Sequence, residues 1–132
     1  MVTVRSAKSK GSQFEYSCQY SLQQWTNKPV TRTSERGFQM QFDLKIGDED
    51  GDYWAVECKR LKGISWNQLV KFYEKLDKVT PETKYKFILF QSNRQPCLIF
   101  YKNFGGSYNI QTFEDYFLTP FQKHPSTRVT KK

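Results

Sequence analysis

Acidic side chains are concentrated in one part of the sequence, and a lysine follows close behind them. Six of the 13 acidic residues lie between Asp43 and Glu57, and Lys59 comes two residues after Glu57. Carboxylates that lie close together repel one another and raise a pKa, and a divalent cation relieves that repulsion. Mg²⁺ prefers a few carboxylates together with waters and phosphate oxygens. These residue types therefore favour metal-dependent hydrolysis of a phosphodiester, in which the lysine orients water or neutralises phosphate charge.

Two predicted strands and the turn between them would bring these side chains together. Apolar and polar residues alternate over residues 38–46, which is typical of a half-buried strand. Residues 53–60 form a second predicted strand, and residues 47–52 have the composition of a turn. In a hairpin built around that turn, Asp43 would lie opposite Glu57 to within one residue of register.

The other segments predict an α/β domain with a mixed sheet flanked by helices. Ser12 is typical of a helix N-cap, with Glu15 completing a capping box, and an apolar stripe follows as far as Trp25. Strands are predicted at residues 30–33, 85–91 and 97–102, and further helices at residues 65–78 and 112–117. The domain is expected to cover residues 11–118, between a basic N-terminal arm at residues 1–10 and a basic C-terminal tail at residues 119–132.

Length, charge and composition exclude several classes of protein. The 132 residues suffice for one domain, and an aromatic content of 17% excludes disorder over most of the length. No run of apolar residues is long enough to cross a membrane, and the first residues lack the apolar core of a signal peptide. The formal net charge of +8 predicts a polyanionic partner, with nucleic acid as the first candidate.

Cysteine and histidine are too few for a structural zinc site. Cys18, Cys58 and Cys97 lie far apart in the sequence, and His124 is the single histidine. Because such a site needs about four of these ligands, a zinc finger or ribbon is not expected. Three widely spaced cysteines also argue against a disulfide framework, which favours a reducing, cytoplasmic setting. Catalysis would therefore rest on carboxylates, lysine and a metal.

The acidic cluster and its lysine resemble the signature of a nuclease superfamily. Asp43 followed by Glu57-Cys58-Lys59 is similar to the PD-(D/E)xK pattern, with Phe42 in place of the proline. The resemblance implies a restriction-endonuclease-like fold, which is a central mixed β-sheet flanked by helices, and hydrolysis of DNA with Mg²⁺, for which Mn²⁺ would substitute. It also implies that Asp43, Glu57 and the backbone carbonyl of Cys58 hold the metal, while Lys59 assists the attacking water.

Two further segments resemble the archaeal-type Holliday junction resolvases. Residues 10–15 are similar to that family's K-G-x-x-x-E opening, and residues 30–34 to its V-x-R-x-x stretch. The resemblance implies that Glu15 completes the metal site, and that Arg32 and Ser34 lie near the scissile phosphate. It also implies a homodimer that cuts four-way DNA junctions, and the compactness of the chain is compatible with a viral or phage origin. Further candidates for DNA contacts are Lys10, Arg36, Arg60, Lys62 and Gln68.

Other interpretations of the same residues stay open. Glu57 and Lys59 also fit a surface ion pair, and Glu15 also fits a helix cap. Arg32 and Gln68 also fit ordinary surface positions. The same fold would suit a nicking or DNA-end-directed nuclease, acting in the host cytoplasm if the protein is viral. Outside enzymes, the alternative is a nucleic-acid-binding module with a degenerate site.

Overall fold

Three helices and six strands make up the part of the chain that the structure describes. A computed structural model describes residues 4–33, 42–47, 53–81, 83 and 85–118, with only the backbone of residues 4–12. The helices are α1 (Val4–Thr26), α2 (Trp66–Val79) and α3 (Phe113–Leu118). The strands are β1 (Val30–Arg32), β2 (Leu44–Ile46), β3 (Trp54–Arg60), β4 (Lys86–Gln91), β5 (Leu98–Lys102) and β6 (Tyr108–Gln111). None of the helices in these segments combines the length and the apolar character that a membrane span requires.

The six strands form one mixed sheet in the order of the chain, from β1 to β6. Among them, β3 and β4 pair in parallel, and the other neighbours pair antiparallel. A parallel pair needs a crossover connection, and α2 supplies it between β3 and β4. The expected α/β fold, a mixed sheet flanked by helices, is confirmed.

Helices α1 and α3 share one face of the sheet. The ring of Tyr116 in α3 meets Phe87 of β4 edge-on, with 5.4 Å between the ring centroids. Trp25 of α1 stacks on Phe117 of α3 at 6.2 Å, which joins the two helices into one layer. Tyr116 is 1% exposed and Phe87 fully buried, so this layer covers the centre of the core.

Helix α2 covers the opposite face. Tyr73 of α2 contacts Phe100 of β5, and Phe100 pairs with Ile88 of β4. Ile88 and Phe87 face opposite sides of the sheet, because adjacent residues of a strand alternate. The helix starts at the predicted position. Ser65 accepts a hydrogen bond from the N–H of Gln68, and the Gln68 side chain accepts one from the N–H of Ser65, which is a capping box.

Helix α1 differs from the prediction at its start. It begins at Val4, so it runs through the expected boundary between the basic arm and the domain. Ser12 lies inside the helix, and its prediction as the N-cap is wrong. Alanine, arginine and lysine favour helix, and they are frequent in residues 5–10, so the helix extends upstream of the local capping pattern.

Strand β2 is shorter and more buried than predicted. Of the expected strand at residues 38–46, the structure shows Leu44–Ile46, while residues 34–41 lie outside the described part. All three strand residues are buried, so the prediction of a half-buried strand is wrong here. Lys45, predicted on a polar face, is 2% exposed, and its ammonium lies 4.7 Å from the ring centroid of Tyr53.

Strand β6 was not predicted from the sequence. It is four residues long and partly exposed, and Ile110 in it is 39% exposed. It forms an edge of the sheet by pairing antiparallel with β5. A short edge strand that contains Asn109 and Gln111 lacks the apolar alternation that identifies the other strands.

Candidate active site

Asp43 lies immediately before β2, where β3 extends beyond β2 and keeps β4 as its paired neighbour. The register pairs Leu44 with Val56, which puts Asp43 next in line with Glu57 and agrees with the expected hairpin. Further along β3, the Cys58 N–H donates a hydrogen bond to the Asp43 side chain, at Oδ2 and 2.8 Å. The Asp43 N–H donates to the Val56 carbonyl at 3.1 Å. These two hydrogen bonds therefore hold the Asp43 carboxylate against β3, next to the last residue of β3 that pairs with β2.

Thr33 holds the bend that carries Asp43. Its N–H donates to the Asp43 carbonyl at 3.0 Å, and its hydroxyl donates to the Phe42 carbonyl at 2.5 Å. Thr33 is 5% exposed, so water competes little for these bonds. The sequence around Thr33 carries no signal for this role, because its partners Phe42 and Asp43 are nine and ten residues away.

Glu57 and Lys59 form a half-buried ion pair on the α2 side of the sheet. Lys59 Nζ lies 3.3 Å from Glu57 Oε2, with the side chains 31% and 19% exposed. The same ammonium lies 4.7 Å from the ring centroid of Phe72 in α2. The interpretation as a solvated surface pair therefore does not hold, since both side chains are mostly covered.

Glu15 reaches the cluster from α1 and meets Arg32 there. Arg32 donates from Nη2 and Nε to Glu15 Oε1, at 3.2 and 3.3 Å. The guanidinium carbon of Arg32 lies 4.1 Å from the ring centroid of Tyr16, and Arg32 is 8% exposed. Because α1 begins eleven residues before Glu15, this carboxylate does not cap the helix. Arg32 is likewise buried and does not occupy an ordinary surface position.

The charge of Asp43 affects the ionisation of both Glu15 and Glu57. Burial raises the pKa of Glu57 to about 7, the charge of Asp43 adds to this rise, and Lys59 opposes it. Burial and then the charge of Asp43 raise the pKa of Glu15, against the opposing effect of Arg32. Burial also raises the pKa of Asp43, although the Cys58 N–H and Lys59 oppose the rise. Asp43 is therefore the shared neighbour through which Glu15 and Glu57 belong to one cluster.

The donor set of this cluster fits a divalent cation, although the side chains are engaged otherwise. In the described segments, no three Asp, Glu, His or Cys side chains are placed to hold a metal ion together. Glu15 is turned to Arg32, Asp43 to the Cys58 N–H, and Glu57 to Lys59. Carboxylate oxygens are the ligands that Mg²⁺ prefers, and a cation would relieve the repulsion that raises their pKa values. The donor chemistry of the cluster therefore suits such an ion, while the side chains as placed pair with Arg32, the Cys58 N–H and Lys59.

The family of the chain agrees with this arrangement. A protein-family model described as phage putative PDDEXK endonuclease matches residues 6–132. The chain belongs to this family. The resemblance to the PD-(D/E)xK superfamily is thereby confirmed, and the match spans the whole cluster from Glu15 to Lys59. The curated proteins and the solved structures include no significant match to the chain.

The DNA-contact candidates of this PDDEXK family member lie in different surroundings. Arg60 is exposed, and its Nε donates to Gln91 Oε1 at 3.3 Å. Lys62 is exposed, and Gln68 is exposed with its side chain in the cap of α2. Ser34, Arg36 and the side chain of Lys10 lie outside the described part. For all of them, contact with DNA stays a prediction.

The three cysteines of this family member meet beneath the cluster. Cys18 of α1 is hydrogen-bonded to both Cys58 and Cys97, and burial raises the pKa of the Cys58 thiol. All three are free thiols. Their wide spacing in the sequence carried no signal for this contact. Cys58 faces α1 because adjacent residues of a strand alternate, with Glu57 and Lys59 on the other face, so its contact with Cys18 joins α1 to β3.

Arg32→Ala is expected to lower the free energy of unfolding by about 2–4 kcal/mol, because it leaves the half-buried Glu15 without this partner. Urea unfolding at pH 7 would measure the change. In the double variant Glu15→Gln/Arg32→Ala the loss should be smaller, since the uncompensated charge is gone. Lys62→Ala, at an exposed position, should change stability by less than about 0.5 kcal/mol. Equal losses in the single and double variants would contradict the role of the pair.

Proposed function

We propose that the protein is a Mg²⁺-dependent, structure-specific DNA endonuclease, and that its preferred substrate is the four-way DNA junction. One observation carries the proposal of catalysis: Asp43, immediately before β2, interacts with Glu15 of α1 and Glu57 of β3, and Lys59 pairs with Glu57. Membership of a PDDEXK endonuclease family supports DNA as the substrate class. The preference for junctions rests on the resemblance of residues 10–15 and 30–34 to the archaeal-type resolvases.

The chain's own residues would divide the work of hydrolysis. Glu15, Asp43, Glu57 and the backbone carbonyl of Cys58 would hold Mg²⁺, which when bound makes water more acidic and offsets phosphate charge. Lys59 would orient the attacking water or donate to a phosphate oxygen, and the ring of Phe72 limits where its ammonium can lie. These contacts would place positive charge beside the phosphate oxygens, on which negative charge develops as the phosphodiester bond breaks.

Arg32 would change partners when DNA binds. It pairs with Glu15 in the structure, and its guanidinium could donate to a phosphate oxygen once Glu15 turns towards a metal. The contact with Tyr16 would hold the planar guanidinium during this exchange. Ser34 is proposed as a second phosphate contact on the resemblance alone.

Charge outside the cluster supports binding to the DNA backbone. The chain has 21 lysines and arginines against 13 acids, and residues 119–132 contain basic residues and no acid. Such contacts increase affinity for any sequence and make binding sensitive to salt. Symmetric cutting of a junction needs two active sites, so we propose a homodimer. The free cysteines fit a reducing compartment, and we propose the cytoplasm of a host cell.

A substrate panel tests the proposed function. The protein is incubated with Mg²⁺ and a labelled four-way junction, a linear duplex or a single strand, and each reaction is repeated in EDTA. We expect paired symmetric nicks in the junction, dependent on Mg²⁺, with Mn²⁺ able to substitute. Cutting of every substrate would instead support a nicking or end-directed nuclease. Binding without metal-dependent cutting would show a nucleic-acid-binding module and overturn both enzyme proposals.

A further inference from the structure

A polar pocket lies between α1 and the carboxyl ends of β3 and β4. Its volume is about 540 Å³, within the range of pockets that hold small ligands. Three of its lining residues come from α1 and three from the strand ends and the following turn: Gln13, Phe14, Ser17, Arg60, Gln91 and Asn93. Three segments that are distant in the sequence therefore form one concave surface.

The chemistry of the pocket wall suits a nucleotide. None of the described residues that line it is acidic, and Arg60 brings a positive charge. Three amide side chains, those of Gln13, Gln91 and Asn93, offer donors and acceptors of the kind that pair with base edges and sugars. Phe14 adds an apolar surface at the base of the wall, where it is 8% exposed.

Hydrogen bonds within the protein fix the position of Arg60, the charged residue of the pocket. Arg60 Nε donates to Gln91 Oε1 at 3.3 Å, and Gln91 Nε2 donates to the Gln95 carbonyl at 3.0 Å. This chain of bonds orients the guanidinium through one of its five N–H groups. Arg60 is exposed, so a phosphate can approach it from solvent.

Arg60 of the pocket lies two residues along β3 from the residue that holds Asp43. Arg60 follows Cys58 by two residues in β3, so the two residues are about 7 Å apart along the strand and face the same side. The N–H of Cys58 is the group that holds Asp43. A DNA strand rises about 3.4 Å per nucleotide, so this separation corresponds to one or two nucleotides.

We propose that this pocket binds a nucleotide of the DNA strand, one or two positions from the phosphate that faces the acidic cluster. Arg60 contacts the phosphate of that nucleotide, and the amides of Gln13 and Asn93 contact its sugar or base. The proposal rests on the proposed function, since it takes the same strand to pass the cluster. It makes Gln13, Gln91 and Asn93 part of the DNA-binding surface, a role that the sequence pattern did not indicate.

A scan with neutral phosphates tests the pocket without requiring cleavage. Each probe is a fluorescein-labelled four-way junction in which one phosphate near the branch point is replaced by an uncharged methylphosphonate. Binding is measured by anisotropy in EDTA for the full-length protein, for Arg60→Gln and for Arg94→Gln as the control. Arg94 is an exposed arginine next to Asn93, and it does not line the pocket.

We expect Arg60→Gln to bind the unmodified junction about tenfold more weakly than the wild type. At one or two adjacent positions, the methylphosphonate should weaken binding by the wild type about tenfold. It should not change binding by Arg60→Gln, because that variant has already lost the contact. Arg94→Gln should keep the wild-type profile. As a second variant, Asn93→Asp should weaken binding by placing a carboxylate in the pocket, whereas Asn93→Gln should bind as the wild type.

The outcomes separate the pocket from the proposed enzyme. If Arg60→Gln responds to every methylphosphonate as the wild type does, or if Asn93→Asp binds normally, the pocket proposal is overturned, whether or not the protein cuts DNA in Mg²⁺. If an Arg60-dependent phosphate is found in a protein that does not cut DNA, the pocket is supported and the proposed enzyme is not. In a protein that cuts, the Arg60-dependent phosphate should lie one or two positions from the cut.

Discussion

Asp43→Asn should abolish Mg²⁺-dependent cutting of DNA, with a loss of about 10³-fold or more in the cleavage rate. The carboxylate is the central charge of the cluster, since it acts on both Glu15 and Glu57. An amide offers one neutral oxygen in its place, which is a much weaker ligand for Mg²⁺. A loss of several kcal/mol in transition-state stabilisation corresponds to this change in rate. Single-turnover cleavage of the labelled junction would measure it.

The same variant should stay folded and become no less stable without metal. The asparagine oxygen can still accept the hydrogen bond from the Cys58 N–H that Asp43 accepts at 2.8 Å. Removing the charge also ends the repulsion with Glu15 and Glu57. Circular dichroism and urea unfolding in EDTA would check this, with Glu114→Gln, an exposed acid of α3, as the control for neutralising an acid. Undiminished cutting by Asp43→Asn would remove Asp43 from the proposed site.

The stability of the metal-free protein should fall as the pH rises from about 4.5 to about 7. Glu57 has its ordinary pKa near 4.5 in the unfolded chain and a pKa of about 7 in the folded protein. Between these values the folded state binds more protons, so the free energy of unfolding decreases with pH. The rise in pKa corresponds to at most about 3 kcal/mol, present in full at low pH and lost above pH 7. The raised pKa values of Glu15 and Asp43 act in the same direction.

Urea unfolding in EDTA at pH values from 5 to 8 would test this dependence. Glu57→Gln should show a flatter profile than the wild type and should be more stable at pH 8, because it has no carboxylate to ionise. Comparison of the two proteins removes the contributions of all other acids. Parallel profiles would mean that Glu57 does not have a raised pKa. If the cluster binds Mg²⁺, the ion should stabilise the wild type most at pH 8, where the carboxylates are ionised.

Local patterns in the sequence sufficed to predict most of the elements. The strand predicted at residues 53–60 is β3 (Trp54–Arg60), and the helix predicted from residue 65 is α2, which Ser65 caps. The predictions failed where local pattern and tertiary packing differ. The capping pattern at Ser12 lies inside a longer helix, and Lys45 is buried although its position alternates with apolar residues.

The sequence by itself determined the types and the spacing of the reactive residues. Asp43, Glu57 and Lys59 could be selected from it because strand geometry links residues that are close in the chain or joined by a short turn. The resemblance to the PD-(D/E)xK superfamily could be seen in the sequence for the same reason, because that motif is defined by residue types and their spacing. The proposal that these residues hydrolyse DNA with the help of a cation could therefore be made from the sequence.

Only the tertiary structure decided which groups surround those residues. Arg32 pairs with Glu15 across 17 positions of the chain, and the nucleotide pocket combines α1 with the ends of β3 and β4. Such contacts depend on the order of the strands in the sheet and on the face that each helix covers. Neither is encoded in the spacing of a motif, because both result from burying the apolar faces of all elements together. The same burial raises the pKa of Glu57 to about 7, which spacing alone could not predict.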